Sequence, residues 1–453
     1  MSLRIVRSNA ILGGATGPNQ VHEFLRRYIL ADGLPIVFDL EQSHGVWIVD
    51  KRNGDRYLDF FTFFASLPVG FNHSTILQSH WQNRLMRAAI HKPSNSDAYT
   101  EDMASFVETF AEIALPKGFR YLFFIEGGAL AVENALKVAF DWKTRKNRAA
   151  GRGVEGSRIL HFRDAFHGRS GYTLSLTNTD PVKTDLFPKF DWPRIQNPKI
   201  AFPMTGEEVV RVAAAEAEAL KEINAAFRWH PHEIAAIIIE TIQGEGGDNH
   251  FRPEFLKALR EAADREDAML IFDEVQCGFG LTGRMWAFEH FEVAPDILAF
   301  GKKSQVCGIM ANTRVDEVPD NVFKISSRIN STWGGNLADM IRCEAYLRII
   351  ERDHLLANAE KTGAHLLAGL DGVARRSQGR ISNVRGRGLM CAFDAATEEL
   401  RGAIVKRALE QKLIVLPCGR KSVRLRPALI LTPDEANEGL ARLEKALQGL
   451  PST

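Results

Sequence analysis

The sequence has few of the features that mark secreted, metal-stabilised or membrane-bound proteins. Its 453 residues include only five cysteines, which are widely scattered and form no CxxC pair. This pattern indicates neither a disulfide framework nor a zinc cluster, so we expect no metal and reduced cysteines that fill core space. No uncharged apolar run approaches the ~18 residues of a membrane span, and the segment 1–17 has no signal-peptide core. We therefore expect a cytoplasmic protein that does not act at a membrane.

An excess of charge of either sign is also missing. The 57 Lys and Arg residues are balanced by 56 Asp and Glu residues, which leaves a net charge of +1. This balance provides no bulk attraction to nucleic acid, so any ligand has to be recognised locally. The 45% of hydrophobic and 25% of charged residues exclude a disordered, collagen-like or coiled-coil chain. At ~150 residues per domain, the length corresponds to about three structural units, or to one large domain and a smaller one.

The middle of the chain alternates strand and helix signals. Short apolar runs bounded by glycine, charged or turn residues are typical of buried parallel strands. Helical periodicity lies between several of them, over residues 129–146 and 206–227. This alternation predicts an α/β domain with a mostly parallel sheet. The predicted strands are 121–125, 158–162, 235–239, 268–272, 297–300 and 308–313.

The two ends of the chain have a different pattern. Near the N-terminus, residues 46–49 and 56–60 flank a turn-rich segment and predict a hairpin. From about residue 337, a long helical stretch is followed by short strands at 389–393 and 413–416, which predicts a smaller α+β unit. We therefore predict an N-terminal arm and hairpin over 1–75, packing with the small domain, a large α/β domain over 76–336, and a C-terminal α+β domain over 337–453.

Several predicted strands end in residues that suit a ligand site, and ligands bind beyond the carboxyl ends of such strands. The segment Glu126–Ala129 bares backbone N–H groups at a helix start, which suits a phosphate; a plain glycine turn has the same pattern. Asp273 brings a carboxylate to the same edge, although a helix cap or a salt bridge explains it equally well alone. A lysine pair, Lys302 and Lys303, follows the next strand. A lysine buried there is costly unless it is paired or reactive, and a solvated pair is the alternative.

The loop Phe166–Arg169 adds an aromatic ring and a guanidinium that suits a carboxylate. We expect His167, which lies between them, to be packed and hydrogen-bonded rather than catalytic. Together, a phosphate-binding turn, an aromatic ring, a carboxylate and a lysine match the needs of pyridoxal phosphate. This cofactor requires a lysine for its Schiff base, an acid at its pyridine nitrogen and a phosphate anchor. The combination therefore predicts a pyridoxal-phosphate site.

Three motifs carry a resemblance to a known family. Residues 295–302 read PDILAFGK, residues 273–276 read DEVQ, and residues 331–336 read STWGGN. With these motifs the chain resembles the class III (ω-)aminotransferases, which are pyridoxal-phosphate enzymes of fold type I, over nearly its whole length. Within that class, the stretches 125–135 and 300–308 are most similar to the L-lysine 6-aminotransferases.

The resemblance implies a set of cofactor-binding residues. Lys302, not Lys303, would bind the cofactor covalently, and Asp273 would pair with its pyridine nitrogen; these are the two implied catalytic residues. The other implied contacts are Val275 and Phe166 on the two faces of the ring, Gln276 at the ring hydroxyl, Gly128 and Ala129 at the phosphate, and Thr332 at the phosphate of the partner subunit in a homodimer.

The resemblance also implies how substrates are held. Arg424 would bind the α-carboxylate of glutamate or 2-oxoglutarate, and Glu245 would mask Arg424 while an ω-amine is bound. Arg169 would then hold the distant α-carboxylate, and Asn330 would line the pocket. The implied activity is a ping-pong transfer of the ε-amino group of L-lysine to 2-oxoglutarate. Its products would be glutamate and 2-aminoadipate 6-semialdehyde, which cyclises to 1-piperideine 6-carboxylate.

Some positions depart from the family pattern. Gly127 stands where the family commonly has serine, so a hydroxyl contact to the phosphate is missing. Phe64 stands where ornithine-type relatives have a substrate-contacting tyrosine, which weakens the ornithine alternative. Ornithine, 4-aminobutyrate and diaminobutyrate are nevertheless retained as alternative donors. Thr241 stands where proline is usual.

Two alternative functions have less support in the sequence. Residues 278–283 spell GxGxxG, which is found in dinucleotide-binding oxidoreductases. However, residues 273–277 separate this motif from its strand, and no clear amphipathic helix follows. A non-catalytic regulatory module would need a DNA-binding segment or a broken site, and the sequence suggests neither.

Overall fold

A computed structural model describes residues 16–450, and within them the strands form three sheets. The segment 1–15, which belongs to the predicted arm and to the stretch without a signal-peptide core, lies outside the described residues. The strands are β1 (Trp47–Val49), β2 (Arg56–Asp59), β3 (Phe119–Ile125), β4 (Arg158–Phe162), β5 (Arg194–Ile195), β6 (Ile234–Glu240), β7 (Met269–Asp273), β8 (Ile297–Phe300), β9 (Cys307–Asn312), β10 (Ile381–Arg387), β11 (Met390–Ala395), β12 (Leu413–Ile414), β13 (Leu416–Cys418) and β14 (Ser422–Leu425).

The helices surround these sheets, and several begin at a side-chain cap. Thr432 forms a capping box with Glu435 at the start of the last helix, which satisfies backbone donors that have no partner within the helix. No helix within 16–450 is long and apolar enough to cross a membrane. The helices are α1 (Val21–Arg26), α2 (Thr62–Ala65), α3 (Ser79–His91), α4 (Glu101–Ile113), α5 (Gly128–Ala149), α6 (Gly171–Leu176), α7 (Gly206–Trp229), α8 (Pro253–Arg265), α9 (Leu337–Arg352), α10 (Leu355–Arg376), α11 (Glu398–Glu410) and α12 (Pro433–Leu447).

The largest sheet has seven strands in the order β3-β9-β8-β7-β6-β4-β5. Neighbouring strands from β8 to β5 are parallel, whereas β9 is antiparallel to both β3 and β8. The prediction of an α/β domain with a mostly parallel sheet is therefore confirmed. The reversed direction of β9 was not predicted, because an apolar run does not encode the direction of its strand.

Strand β6 shows why the central strands are almost continuously apolar. Ile237 and Ile239 join the core that contains Leu256 of α8, whereas Ala236 and Ile238 join the core that contains Ala131 of α5. Successive side chains of a strand point to opposite faces, so a sheet covered on both faces needs apolar residues at every position. The covered sheet can then hold polar groups fixed at the ends of its strands.

The N-terminal hairpin is present and also connects to the C-terminal part of the chain. Strand β1 pairs antiparallel with β2, and β2 pairs parallel with β12, with Leu58 opposite Leu413. The single strand predicted over 413–416 is instead two strands, because β12 joins this small sheet while β13 pairs with β14. The domain boundaries at 75/76 and 336/337 stay predictions.

The GxGxxG segment 278–283 forms a loop and is followed by a short 3-10 helix, Ala287–His290. Its glycines serve close packing: a Cβ at Gly280 would lie 2.8 Å from Cδ1 of Leu429. The strand–turn–α-helix context of a dinucleotide site is absent from this part of the described chain. The five cysteines are free and buried, as expected.

Candidate active site

The carboxyl ends of β4, β6, β7 and β8 lie around one cavity of about 580 Å³. The predicted site residues that line it are Gly128, Ala129, Phe166, Arg169, Asp273, Val275, Gln276 and Lys302. The structure thus brings together residues separated by up to 174 positions, between 128 and 302. The other residues that line the cavity are Gly127, His167 and Gly168, which belong to the two predicted loops, and Ser66, Glu240, Gln305 and Cys307, to which the sequence analysis assigns no role.

The two neighbouring lysines occupy different environments. Lys302 lines the cavity, whereas Lys303 is 2% exposed and its Nζ donates to the carbonyl oxygen of Gln276 at 2.9 Å. Burial, together with the nearby charge of Arg424, lowers the pKa of Lys302 to about 8. The neutral, nucleophilic form of this amine is therefore far more populated near neutral pH than that of an ordinary lysine.

Asp273 is held rigidly at the end of β7. The residue is 4% exposed, and its Oδ1 accepts from the backbone N–H of Val275 at 3.1 Å. Its Oδ2 lies 2.8 Å from Nδ1 of His167, which is itself buried. The expectation that His167 is packed and hydrogen-bonded is confirmed, but its contact with Asp273 was not predicted. The contact with His167 fixes the orientation of the Asp273 carboxylate. A cationic group that pairs with this carboxylate therefore has a defined position in the cavity.

The turn before α5 provides backbone donors. Gly127 has a φ of +96°, and α5 begins directly after it. The first N–H groups of an α-helix have no carbonyl partner within the helix, so Gly128 and Ala129 present donors to the cavity. A Cβ at Gly128 would lie 2.8 Å from Cγ1 of Val275, so only glycine fits there without a shift. This arrangement suits a phosphate group.

Glu240 connects the aromatic loop to the sheet. Its two carboxyl oxygens accept from the backbone N–H groups of Phe166 and Gly244, each at 2.9 Å. Burial raises the pKa of Glu240 to about 7. The sequence contained one signal for this role, a carboxylate at the end of the wholly apolar strand β6.

Arg424 and Glu245 form an ion pair next to the cavity. Arg424, on β14, is 2% exposed; it donates to Oε1 of Gln276 at 2.9 Å and to Oε2 of Glu245 at 2.6 Å. The other oxygen of Glu245 accepts from Nζ of Lys183 at 2.6 Å. Burial by itself raises the pKa of Glu245, but Arg424 and Lys183 outweigh it and hold this pKa below its ordinary value. Arg169 is exposed and forms no ion pair within residues 16–450.

The segment beside Arg424 has an unusual backbone. All four residues of α2 have φ between +43° and +65°, in the left-handed region, which costs roughly 1–2 kcal/mol per residue. Oδ1 of the buried Asp59 accepts from the backbone N–H of Thr62 at 3.0 Å and helps to hold this turn. The turn brings the ring of Phe64 to 5.9 Å from Cζ of Arg424.

Two predicted residues lie apart from the cavity. Asn330 and Thr332 are exposed and belong to a loop that does not line it. This loop is held from the segment 92–96: Oγ of Ser96 donates to the carbonyl oxygen of Ser331 at 2.6 Å. The Thr332 side chain is thus presented outward by a fixed backbone.

The donor set fits pyridoxal phosphate. A nucleophilic amine, a fixed carboxylate, backbone donors at a helix start and the side chains of Phe166 and Val275 line one cavity. A Cβ at Gly128 would collide with the Val275 side chain, so glycine at this position lets the phosphate-binding turn pack directly against Val275.

Comparisons with known proteins agree with this chemistry. Residues 28–447 match the family model described as aminotransferase class-III. The chain is 52% identical over 445 residues to an L-lysine-epsilon aminotransferase of Mycobacterium tuberculosis, covering 98% of each chain. It is 49% identical over 435 residues to that of Amycolatopsis lactamdurans, covering 95% of this chain and 96% of the relative. A solved lysine aminotransferase from M. tuberculosis superposes with a TM-score of 0.93 at 52% identity, covering 95% of this chain and 99% of that one. The chain belongs to the class-III aminotransferases.

Proposed function

We propose that this enzyme transfers the ε-amino group of L-lysine to 2-oxoglutarate. The products are glutamate and 2-aminoadipate 6-semialdehyde, which cyclises to 1-piperideine 6-carboxylate. The observation that carries the proposal is the contrast between two arginines: Arg424 is masked by Glu245, whereas Arg169 is exposed in the cavity. The relatives named as L-lysine-epsilon aminotransferases support lysine as the donor.

Pyridoxal phosphate, when bound, supplies an electron sink for the carbon that carries the amino group. The backbone N–H groups of Gly128 and Ala129 would hold its phosphate, and Asp273 would keep its pyridine nitrogen protonated. Phe166 and Val275 would cover the two faces of its ring. Gln276 would contact the ring hydroxyl.

Lys302 is the proposed covalent attachment point and proton carrier. Its lowered pKa leaves a neutral amine that can bind the cofactor and move a proton at the substrate carbon. Lys303 cannot take over this role, because its amine is buried against the carbonyl of Gln276.

The two substrates use the arginines differently. Lysine reacts at the end remote from its α-carboxylate, so that carboxylate binds Arg169 while the Glu245–Arg424 pair stays closed. In 2-oxoglutarate the α-carboxylate is adjacent to the reacting carbonyl, so it binds Arg424, displaces Glu245 and leaves the far carboxylate to Arg169. Both substrates occupy the same cavity in turn, in a ping-pong sequence.

A homodimer would complete the site. Thr332 would reach the phosphate bound by the partner subunit, and Asn330, two residues before it, would line a substrate pocket. Their exposure on a loop held from the segment 92–96 supports a role outside the chain's own cavity. The proposed compartment is the cytoplasm, which fits five free cysteines.

Product analysis tests the donor. The holoenzyme is incubated with 2-oxoglutarate and, separately, L-lysine, ornithine, 4-aminobutyrate or 2,4-diaminobutyrate, and glutamate is quantified. We expect lysine to exceed ornithine by at least about 10-fold, since one methylene is worth about 10–200-fold in a fitted pocket. Lysine labelled with ¹⁵N at the ε-nitrogen should yield labelled glutamate, and α-labelled lysine should not. Faster turnover of another donor, or transfer of the α-label, would overturn the proposal.

A further inference from the structure

Glu245 is bound by two cations that come from different parts of the chain. Its Oε2 accepts from Arg424 and its Oε1 from Lys183, each at 2.6 Å. The Lys183 side chain is 17% exposed and that of Glu245 is 22% exposed, so both contacts are largely shielded from water. The carboxylate is therefore shared, with one oxygen for each cation.

The position of Lys183 is fixed by the loop that carries it. The 3-10 helix Pro181–Lys183 is capped by Asp180. The preceding segment is tied to the cavity wall through Thr177, whose Oγ1 accepts from the N–H of His167 at 3.0 Å and donates to the carbonyl of Gly168 at 2.7 Å. The segment that carries Lys183 is therefore hydrogen-bonded to the Phe166–Arg169 loop through Thr177.

The shared carboxylate matters when Arg424 changes partner. A dicarboxylate that binds Arg424 takes that cation away from Glu245. A largely buried carboxylate without a partner is costly, and removing one member of a buried ion pair is more harmful than removing both. Lys183 contacts the other oxygen, so its contact does not have to break.

We propose that Lys183 is a positioning residue that favours the dicarboxylate acceptor by retaining Glu245 while Arg424 is engaged by the substrate. When Arg424 binds the substrate, its ion pair with Glu245 breaks, but the Glu245 carboxylate keeps Lys183 as a partner. This inference rests on the proposed function, because it requires that Arg424 alternate between Glu245 and a substrate carboxylate. A purely structural role for Lys183 would affect both substrates alike.

The test compares Lys183→Met with Lys183→Arg in the holoenzyme. Lys189→Met is the matched control, because Lys189 lies on the same segment but donates only to the carbonyl of Thr184. Steady-state kinetics with lysine and with 2-oxoglutarate give KM and kcat for each substrate. The dissociation constant of glutarate, a dicarboxylate that cannot accept an amino group, is measured by calorimetry.

Lys183→Met should weaken the binding of both dicarboxylates and so raise the 2-oxoglutarate KM and the glutarate dissociation constant. Each of these should rise by about 10-fold more than the lysine KM, which is the size expected for a lost charge-assisted contact. Lys183→Arg should restore most of this difference. In a Glu245→Gln background the selective effect should disappear, because the amide carries no charge to retain. Equal effects on both substrates, or a selective effect that persists in that background, would overturn the inference. If the unmodified enzyme prefers another amine, the proposed donor fails, and the same comparison is made with that amine.

Discussion

The two halves of the active site are built differently. In the half assigned to the cofactor, Asp273 and Lys302 sit at the ends of strands whose neighbours are covered on both faces. In the half assigned to substrate carboxylates, two cations from separate segments bind Glu245: Arg424 comes from β14 and Lys183 from a 3-10 helix. Packing in the core holds the cofactor half in place, whereas ion pairs hold the substrate-carboxylate half.

This difference corresponds to two tasks. A cofactor requires that its binding residues keep one arrangement throughout turnover. Apolar packing around the strands and the His167–Asp273 hydrogen bond provide this arrangement. Two substrates with different carboxylate positions require an arrangement that can change. The ion pairs of Glu245 can exchange partners while the strands that carry Asp273 and Lys302 stay in place, so the changeable half lies outside the large sheet.

The most severe test of the fixed half is removal of its amine. Lys302→Ala should reduce turnover by at least about 10⁴-fold, because the proposed roles of this residue are both to attach the cofactor and to move a proton. Lys303→Met, which keeps volume in the core, should retain covalent attachment. Borohydride reduction followed by peptide mass spectrometry locates the attachment. Cofactor fixed on Lys303 would show that the two lysines have been assigned in the wrong order.

Asp273 tests whether the fixed half acts on both substrates equally. Asp273→Asn should slow the lysine and 2-oxoglutarate half-reactions alike, by about 10³-fold, since a neutral amide no longer favours the protonated ring. His167→Phe should have a smaller effect of about 10-fold, again on both, because it acts through Asp273. Stopped-flow spectroscopy at full cofactor occupancy measures both rates. A defect confined to one substrate would contradict this assignment.

The changeable half should respond in a substrate-dependent way. Arg424→Lys loses a guanidinium contact worth roughly 1.5–3 kcal/mol, or about 10–150-fold, and should damage mainly the 2-oxoglutarate half-reaction. Arg169→Lys should damage both half-reactions. Arg420→Lys, at an exposed arginine near the same sheet, is the control. Single-turnover experiments measure the rate of each half-reaction. An Arg424 variant that slows lysine deamination but not the 2-oxoglutarate half-reaction would refute the proposal that Arg424 alternates between Glu245 and a substrate carboxylate.

The pH dependence of cofactor capture examines the environment of Lys302. Only the neutral amine is nucleophilic, and its pKa is lowered to about 8. The rate at which apoenzyme captures pyridoxal phosphate should therefore rise about 10-fold between pH 7 and 9 and then level off. Absorbance stopped-flow follows the capture, with Lys302→Ala as the control. A rate that keeps rising up to pH 10.5 would mean that the amine is not perturbed.

The smallest expected effect concerns the proposed contact of Thr332 with a partner subunit. Thr332→Ala should weaken cofactor retention by about 2–10-fold, as for one lost neutral hydrogen bond. Thr313→Ala, outside both halves of the site, serves as the control. Equilibrium dialysis measures retention, and light scattering measures the assembly. A fully active monomer would remove Thr332 from the site.

Much of this architecture was predictable, because it depends on local patterns. Strand 158–162 and strand 297–300 have the predicted bounds, since each is an apolar run with clear ends. Residues that follow the strand ends were expected to converge, and eight of the predicted site residues line the cavity. The split of 413–416 into β12 and β13 was missed, because pairing with β2 and β14 decides it.

Three contacts depended on the tertiary structure. His167 pairs with Asp273, Glu240 holds the Phe166 loop, and Lys183 binds Glu245. Each joins residues between 62 and 106 positions apart, and no motif spacing encodes such a contact. These groups meet because the loops that carry them each adopt one of the many conformations open to them, and the folded chain selects it.

Local patterns define the class of fold, the position of the strand ends and the residue types that suit pyridoxal phosphate, because periodicity and strand-end chemistry are local properties. Only the folded chain shows how Lys303 is kept out of the cavity, against the carbonyl of Gln276, and that Lys183 shares Glu245 with Arg424. Those outcomes depend on the direction in which a side chain leaves a loop, and packing against distant segments sets that direction.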